Sequence, residues 1–196
     1  AIGMQVGGTI SRQGIEVDPN VLLEGLKDAM AGKPIMTEED VRATMMQLQS
    51  DMLAKQKQAG EANKKEGEAF LAANKAKPGV VTLPDGLQYT VVKEGTGPKP
   101  TASDTVTVNY RGTLINGKEF DSSYKRGEPA KFPVNGVIKG WTEALQLMPV
   151  GSKWQLFIPA DLAYGERGAG ADIAPNSTLI FEVELLSIQG KEAPKQ

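Results

Sequence analysis

The residues that could do chemistry lie in one stretch, Thr105 to Tyr164. It opens TVTVNYRGTLINGKEFDSS, runs through VIKGWTEALQLMPVGS and ends KWQLFIPADLAYG. It holds both Trp, three of the four Tyr and three of the five Phe, with an acid, Asp121, directly after Phe120. The 196 residues include no His and no Cys. That removes imidazole general bases, thiol nucleophiles and ordinary zinc sites, so neither metal nor cofactor is expected. Hydrolysis by a carboxylate pair would need a partner acid for Asp121, and spacing identifies none. A lone Asp flanked by Ser more often serves a turn or an ion pair. The glycines of YGERGAGADIAPNST lack the Lys-Ser/Thr ending of a phosphate loop and do not stand between a strand and a helix. By default the Trp and Phe residues belong to a core. Patterns alone therefore give an α+β domain with an aromatic cleft and one acid.

The elements that must position this stretch follow from composition and period. The chain is long enough for one or two domains, and 40% hydrophobic residues suffice for a core. A net charge of −2, with both signs spread along the chain, argues against nucleic acid as a partner. No apolar run reaches the ~18 residues of a membrane span. The start at Ala1 is consistent with a processed or trimmed terminus.

The first third predicts helices. Ile2, Val6 and Ile10 share one face of a segment that Gly14 would stop; Gly3, Gly7 and Gly8 leave a frayed terminus as the alternative. Asp18-Pro19 starts a second helix, with Val21, Leu22, Leu26, Ala29 and Met30 on one face, ended by Gly32 and Pro34. Thr37-Glu38-Glu39-Asp40 starts a third, which runs to about Lys75, on the order of 55 Å. Val41, Met45, Leu48 and Met52 form its narrow stripe. Beyond Leu53 the stripe stops, so this half is expected to be a solvated stalk with nothing to bury, weakened by Gly60 and Gly67; a disordered linker is the alternative. Six of the seven Met precede residue 53. So little helix encloses little core, which predicts an intertwined homodimer through Val6, Ile10, Leu22, Leu26, Met30, Met36, Val41, Met45, Leu48 and Met52. A monomeric three-helix packing is the other possibility. The divisions expected are a dimerisation region 1–53, a helical stalk 54–77, a second domain 78–190 and a flexible tail 191–196.

At Pro78-Gly79 the period changes from helical to two. VVTL, LQYTVVKEG, TVTVNYRGTL, KEFDSS, PAKFPV, KWQLFIP and STLIFEVELLSI read as strands, with a hairpin at Asn116-Gly117 and a loop at KRGE. Val137 to Met148 suits one short helix. The prediction is an antiparallel sheet wrapped on that helix.

VTVNYRGTL, GKEFDSS, VIKGWTEALQLMPVGSKW, IPADLAYG and TLIFEVELLSI, in this order and spacing, resemble the FKBP-type peptidyl-prolyl cis-trans isomerases over residues ~80–190. The N-terminal part is similar to the dimerising arm of the Mip-like (macrophage infectivity potentiator) subclass, through its Met-rich helix pair, GEAFLAANKAKPGVV and LPDGLQY. The resemblance implies a five-stranded sheet curled round one helix, and a cleft bounded by Tyr110, Phe120, Asp121, Phe132, Val137, Ile138, Trp141, Tyr164, Ile173 and Phe181. Asp121, Tyr164 and Phe181 would be catalytic, and the others, together with Arg126, substrate-binding. Trp141 would be the floor, Tyr164 would donate to a bound carbonyl, and Asp121 would pair with Arg126. Ala130 stands where some members have an aromatic, and Ala169 where some have a His, which bears on substrate and inhibitor preference. Also implied are proline-containing or unfolded clients, macrolide inhibitors of the FKBP class, a V-shaped homodimer, and export to the bacterial periplasm or outer-membrane surface.

Three functions compete on these residues: an isomerase, a dimeric holdase in which isomerisation is secondary, and a structural dimer with a vestigial cleft. Rotation about an X–Pro bond breaks no covalent bond, so it suits a cleft without nucleophile, metal or His.

Overall fold

The computed structural model describes residues 1–12 and 15–190, so the helix stop expected at Gly14 and the tail at 191–196 lie outside the described residues. The chain divides into two compact units, Ala1–Gln56 and Lys57–Gln196.

The first unit contains α1 (Ile2–Arg12), α2 (Pro19–Met30) and the first half of α3 (Glu38–Lys75). The caps sit where the sequence placed them. The Asp18 carboxylate accepts the Asn20 N–H at 2.7 Å, with Pro19 as the first helical residue. At the start of α3, Thr37 Oγ1 accepts the Asp40 N–H at 3.1 Å while Asp40 Oδ2 accepts the Thr37 N–H at 3.3 Å, a reciprocal capping box. The Thr37 hydrogen bonds hold the Asp40 carboxyl below its usual range.

No described residue before Gly60 is buried. Val6 is 45% exposed, Leu26 55%, Met45 59% and Met30 81%. Met45, Met46, Leu48, Met52 and Leu53 line an open hollow of about 870 Å³ along α3. Among the described residues these helices present apolar faces and bury none of them.

The second unit is built on one antiparallel sheet: β1 (Val81–Thr82), β2 (Gln88–Lys93), β3 (Thr105–Leu114), β4 (Glu119–Ser122), β5 (Ala130–Pro133), β6 (Lys153–Ile158) and β7 (Leu179–Ile188). The order is β1-β2-β6-β7-β3-β4, with β5 also on β3. β5 pairs with Thr105–Val108 and β4 with Arg111–Thr113, so they share one edge position. The five-strand sheet expected is therefore β2, β6, β7, β3 and this split edge, with the two-residue β1 added at the far side. Burial alternates along β3 and β7, as period-two sequence requires. Val106, Val108 and Tyr110 face inward with Trp154, Leu156, Ile158, Val183 and Leu185. Helix α5 (Lys139–Leu147) lies on that face through Trp141, Ala144 and Leu145. A one-turn helix, α4 (Ser123–Arg126), closed by Gly127 at φ 76°, takes the last residue of the strand expected at KEFDSS and the first half of the loop expected at KRGE.

The expectation that the second half of α3 buries nothing is corrected. Gly60, Gly67 and Asn74 are buried. Asn63 Nδ2 donates to the Pro175 carbonyl at 2.9 Å, and Asn176 Nδ2 donates to the Gly60 carbonyl at 3.2 Å. Asn74 Nδ2 donates to Gln88 Oε1 at 3.0 Å, and Gln88 Nε2 to the Leu71 carbonyl at 2.9 Å. Phe70 meets Phe157, which faces out from β6, with ring centroids 6.0 Å apart. Apart from Phe70, the contact is made by glycines and amides rather than by an apolar stripe, so hydrophobic period did not reveal it. Helix propensity alone makes Gly67→Ala stabilising by up to ~1 kcal/mol. A Cβ there would stand 2.3 Å from Thr178 Oγ1, however, and Thr178 is buried. The expected outcome is a net loss of about 1–2 kcal/mol, read as a Tm lowered by about 2–8 °C; an unchanged or higher Tm contradicts the contact.

On the outer side of α5, the Glu143 carboxyl is pushed up to about 7 by its hydrogen bond to Asp85, then by burial and by the Asp85 charge. The folded chain thus keeps a proton that the unfolded chain releases near the ordinary value of 4.5. This contribution to stability is fully present below 4.5 and is lost as pH rises through about 7. Because the pair is partly open to solvent, the loss is on the order of 1 kcal/mol, about 2–4 °C in Tm. Glu143→Gln should flatten the Tm–pH curve between pH 5 and about 8.

Candidate active site

The cleft starts from register. Gly112 of β3 pairs with Asp121 of β4 on one side and with Phe181 of β7 on the other. A Cβ at Gly112 would stand 2.7 Å from ring atoms of both Phe120 and Phe181. Only glycine lets these rings meet edge-to-face there, with centroids 5.5 Å apart at 85°. Sequence reasoning missed Gly112, because a lone Gly in a strand signals close approach without naming what approaches.

Trp141, on the first turn of α5 and 4% exposed, sits in a ring of aromatics. Tyr110 lies 5.3 Å away at 87°, Phe132 5.8 Å at 89° and Phe181 5.2 Å at 82°. Edge-to-face geometry sets positive ring edges against negative faces, which fixes ring orientation as well as burying area. The resulting cavity is about 420 Å³ and is lined by Tyr110, Phe120, Asp121, Phe132, Gly136, Val137, Ile138, Trp141, Tyr164 and Phe181. Gly136 was not foreseen; it lies in a 3₁₀ turn against the Pro133 ring.

One polar network borders these rings. Tyr110 Oη donates to Asp121 Oδ2 at 2.5 Å and accepts from Arg126 Nη2 at 2.7 Å. Arg126 Nη1 donates to Asp121 Oδ1 at 2.5 Å, closing the triangle. Helix α4 holds the guanidinium there. Ser123 at its start is buried, and its Oγ accepts the Tyr110 N–H at 2.9 Å, tying α4 to β3. Burial pushes the Asp121 carboxyl up, but the hydrogen bonds from Tyr110 and Arg126 and the Arg126 charge outweigh it, so the group is held below its usual range. Burial, then the bond to Asp121, pushes the Tyr110 phenol up. At neutral pH the network is carboxylate, phenol and guanidinium.

The sequence-derived residues distribute as follows. Nine of them line the cavity, and Arg126 joins through Asp121 and Tyr110. Tyr164 stands at the mouth, 40% exposed, with no hydrogen-bond partner for its hydroxyl among the described residues. Ile173 is not part of the lining; it is buried in the adjoining core, where its N–H and carbonyl bridge to Ala169 at 3.1 and 2.8 Å. Ala130 and Ala169 pack against the same core, without filling the cavity.

Residues 97–186 match the family described as FKBP-type peptidyl-prolyl cis-trans isomerase, and residues 1–91 match the domain amino terminal to FKBP-type peptidyl-prolyl isomerase. Outer membrane protein MIP of Legionella longbeachae is 52% identical over 194 residues, spanning 96% of this chain and 83% of that protein. The FKBP-type 22 kDa peptidyl-prolyl cis-trans isomerase of Escherichia coli K12 is 51% identical over 189 residues, spanning 95% and 92%. The crystal structure of FkpA from Escherichia coli aligns with a TM-score of 0.73 at 41% identity, over 95% of this chain and 91% of that one. With both domains matched in order, the chain belongs to the FKBP-type peptidyl-prolyl cis-trans isomerases, in the Mip-like group that carries an N-terminal domain, and its activity is the rotation of X–Pro peptide bonds.

Proposed function

We propose that the aromatic cleft is where this isomerase twists the X–Pro bond of a protein client, with Trp141 as floor, Asp121, Tyr164 and Phe181 at the rotating amide, and Tyr110, Phe120, Arg126, Phe132, Val137 and Ile138 holding the chain. The observation that carries this is an aromatic cavity with one ion-paired acid, in a chain that has no His and no Cys. The uncatalysed rotation crosses a barrier of ~18–20 kcal/mol, because amide resonance is lost. The twisted amide is less polar than the planar one, so a dry aromatic wall favours it relative to water. Tyr164 can hold a client carbonyl in place. The Asp121–Arg126 pair supplies fixed electrostatics beside the amide without exchanging a proton. Lowering the barrier by ~5 kcal/mol gives several thousandfold. Ile173 supports the wall from behind. The same cavity suits macrolide ligands of the FKBP class.

The helical unit acts as a homodimerisation region over 1–53, joined through 54–77 to the isomerase domain at 78–190. Support comes from the lack of any buried residue among its described residues and from Leu22, Leu26, Met30, Met36, Val41, Met45 and Met52, all exposed. Two clefts on one dimer raise the effective concentration of either for a client already held by the other, which is the physical basis of a chaperone role. Among the described residues no helix is long and apolar enough to cross a membrane. By likeness to a relative named as an outer membrane protein, this chain acts outside the cytoplasm, in the periplasm or at the outer-membrane surface.

Sedimentation of the full chain beside residues 57–196 tests the arrangement. The full chain should run as a dimer and the shorter one as a monomer. Peptide isomerisation should survive the deletion, and protection of an aggregating client should fall. A monomeric full chain removes the dimer from the proposal.

A further inference from the structure

On the outer face of α5 lies a second hollow, also about 420 Å³, lined among others by Asn135, Val137, Lys139, Thr142, Glu143 and Gln146. Val137 lines both this hollow and the aromatic cleft, so the two meet at that side chain. A proline bound in the cleft is part of a polypeptide that must continue out of it. An extended chain advances ~3.3 Å per residue, so residues about one to three places from the proline reach past Val137. Most polar groups of the hollow are already engaged. Thr142 Oγ1 donates to the Val134 carbonyl at 2.7 Å, and Gln146 Nε2 donates to the Thr142 carbonyl at 2.8 Å. Lys139 differs: it is exposed, and among the described residues its ammonium has no ion pair.

We propose that this hollow is a second binding site for the client chain, next to the proline cleft, and that it selects an acidic side chain against Lys139. This rests on the cleft being the isomerase site. Two features make the hollow selective rather than merely open. The one lining cation is unpaired, so a client carboxylate gains a partner without displacing one. The one lining acid, Glu143, shares a hydrogen bond with Asp85 and keeps its proton below about pH 7, so in mildly acidic solution the Glu143–Asp85 pair repels that carboxylate less than two ionised acids would. Specificity then comes from the flank of the proline, while the aromatic wall handles the bond itself. An exposed pair of this kind changes KM by about 1.5–5-fold and leaves kcat alone, and repulsion of a client Lys adds a similar factor to the Glu-to-Lys ratio.

The test uses the full chain at pH 6 and two sets of peptides. One is a minimal proline peptide with no flanking charge. The other places Glu, Gln or Lys at each of three positions on either side of the proline. The wild-type chain should show, at one or more positions, a KM about 3–10-fold lower for Glu than for Lys. Lys139→Glu should reverse that order, Lys139→Gln should abolish it, and both should turn over the minimal peptide at the wild-type rate. A Glu-to-Lys ratio identical in wild type and Lys139→Glu at every position overturns the proposal. Failure of the wild type to isomerise even the minimal peptide instead removes the cleft assignment on which it rests, and the proposal with it.

Discussion

Replacing Asp121 by Leu lowers kcat/KM for a proline peptide about 10–100-fold while the chain stays folded. The Asp121 side chain is 43% exposed, so its loss opens no cavity in the core. What goes is the anchor of two other groups. The Tyr110 hydroxyl loses its acceptor, and the Arg126 guanidinium loses the carboxylate that holds it beside the Tyr110 ring, 5.3 Å from the centroid. A hydrogen bond to a charged partner contributes about 1.5–3 kcal/mol, and that much lost from the transition state is roughly one to two powers of ten in rate. Asp121→Asn, which keeps one acceptor but not the charge, should fall between. The native carboxyl is held below its usual range, so the network's contribution is complete above the ordinary Asp range and is lost only as pH falls through the lowered value. kcat/KM should therefore show no Asp121 titration between pH 6 and about 8. Peptide kinetics with circular dichroism of the same samples check both parts; a folded Asp121→Leu chain at the wild-type rate would show that the network is only structural.

Phe181→Ala should damage fold and activity together. Phe181 is 5% exposed and contacts the Trp141, Phe120 and Tyr110 rings. Truncating a buried Phe costs about 3–5 kcal/mol, here about 6–20 °C in Tm. The void also frees the Trp141 and Phe120 rings that Phe181 holds, so kcat/KM should fall at least about tenfold even at temperatures where the variant is folded. Phe181→Leu separates the two effects. It refills much of the volume and should recover most of the Tm, yet it cannot present a ring edge to Trp141 and should recover less of the rate. Equal recovery of both would reduce Phe181 to a filler.

What was legible in the sequence divides by the kind of signal. Helix α3 was placed at Glu38 to about Lys75 because its start has a capping box and its end precedes Pro78. β3 was placed because Val106, Val108 and Tyr110 alternate with polar residues. The gathering of Tyr110, Phe120, Phe132, Trp141 and Phe181 around one cavity was not readable from spacing. These residues come from four strands and a helix, and only the resemblance assigned them together. The same is true of Arg126 with Asp121, which depends on a four-residue helix whose sequence reads equally well as a turn. The packing of α3 from Gly60 to Asn74 was missed because glycines and amides carry it, and a search for apolar stripes scores them as solvent-facing. Gly112 belongs to the same class: its role is the absence of a side chain, and only the neighbouring rings show why it is needed.

The most direct measurement uses the fact that the chain has only two Trp. Trp141 lines the aromatic cavity, whereas Trp154 is in the core of β6, stacked on Tyr89 at 4.2 Å. Both indole N–H groups are buried, and among the described residues neither has a hydrogen-bond partner. In the nitrogen-15 spectrum of the full chain, a proline peptide added at saturating concentration should move the Trp141 indole signal and leave that of Trp154 in place, while cis–trans exchange of the same peptide accelerates. Accelerated exchange with the Trp141 signal unmoved would contradict the assignment of catalysis to this cleft.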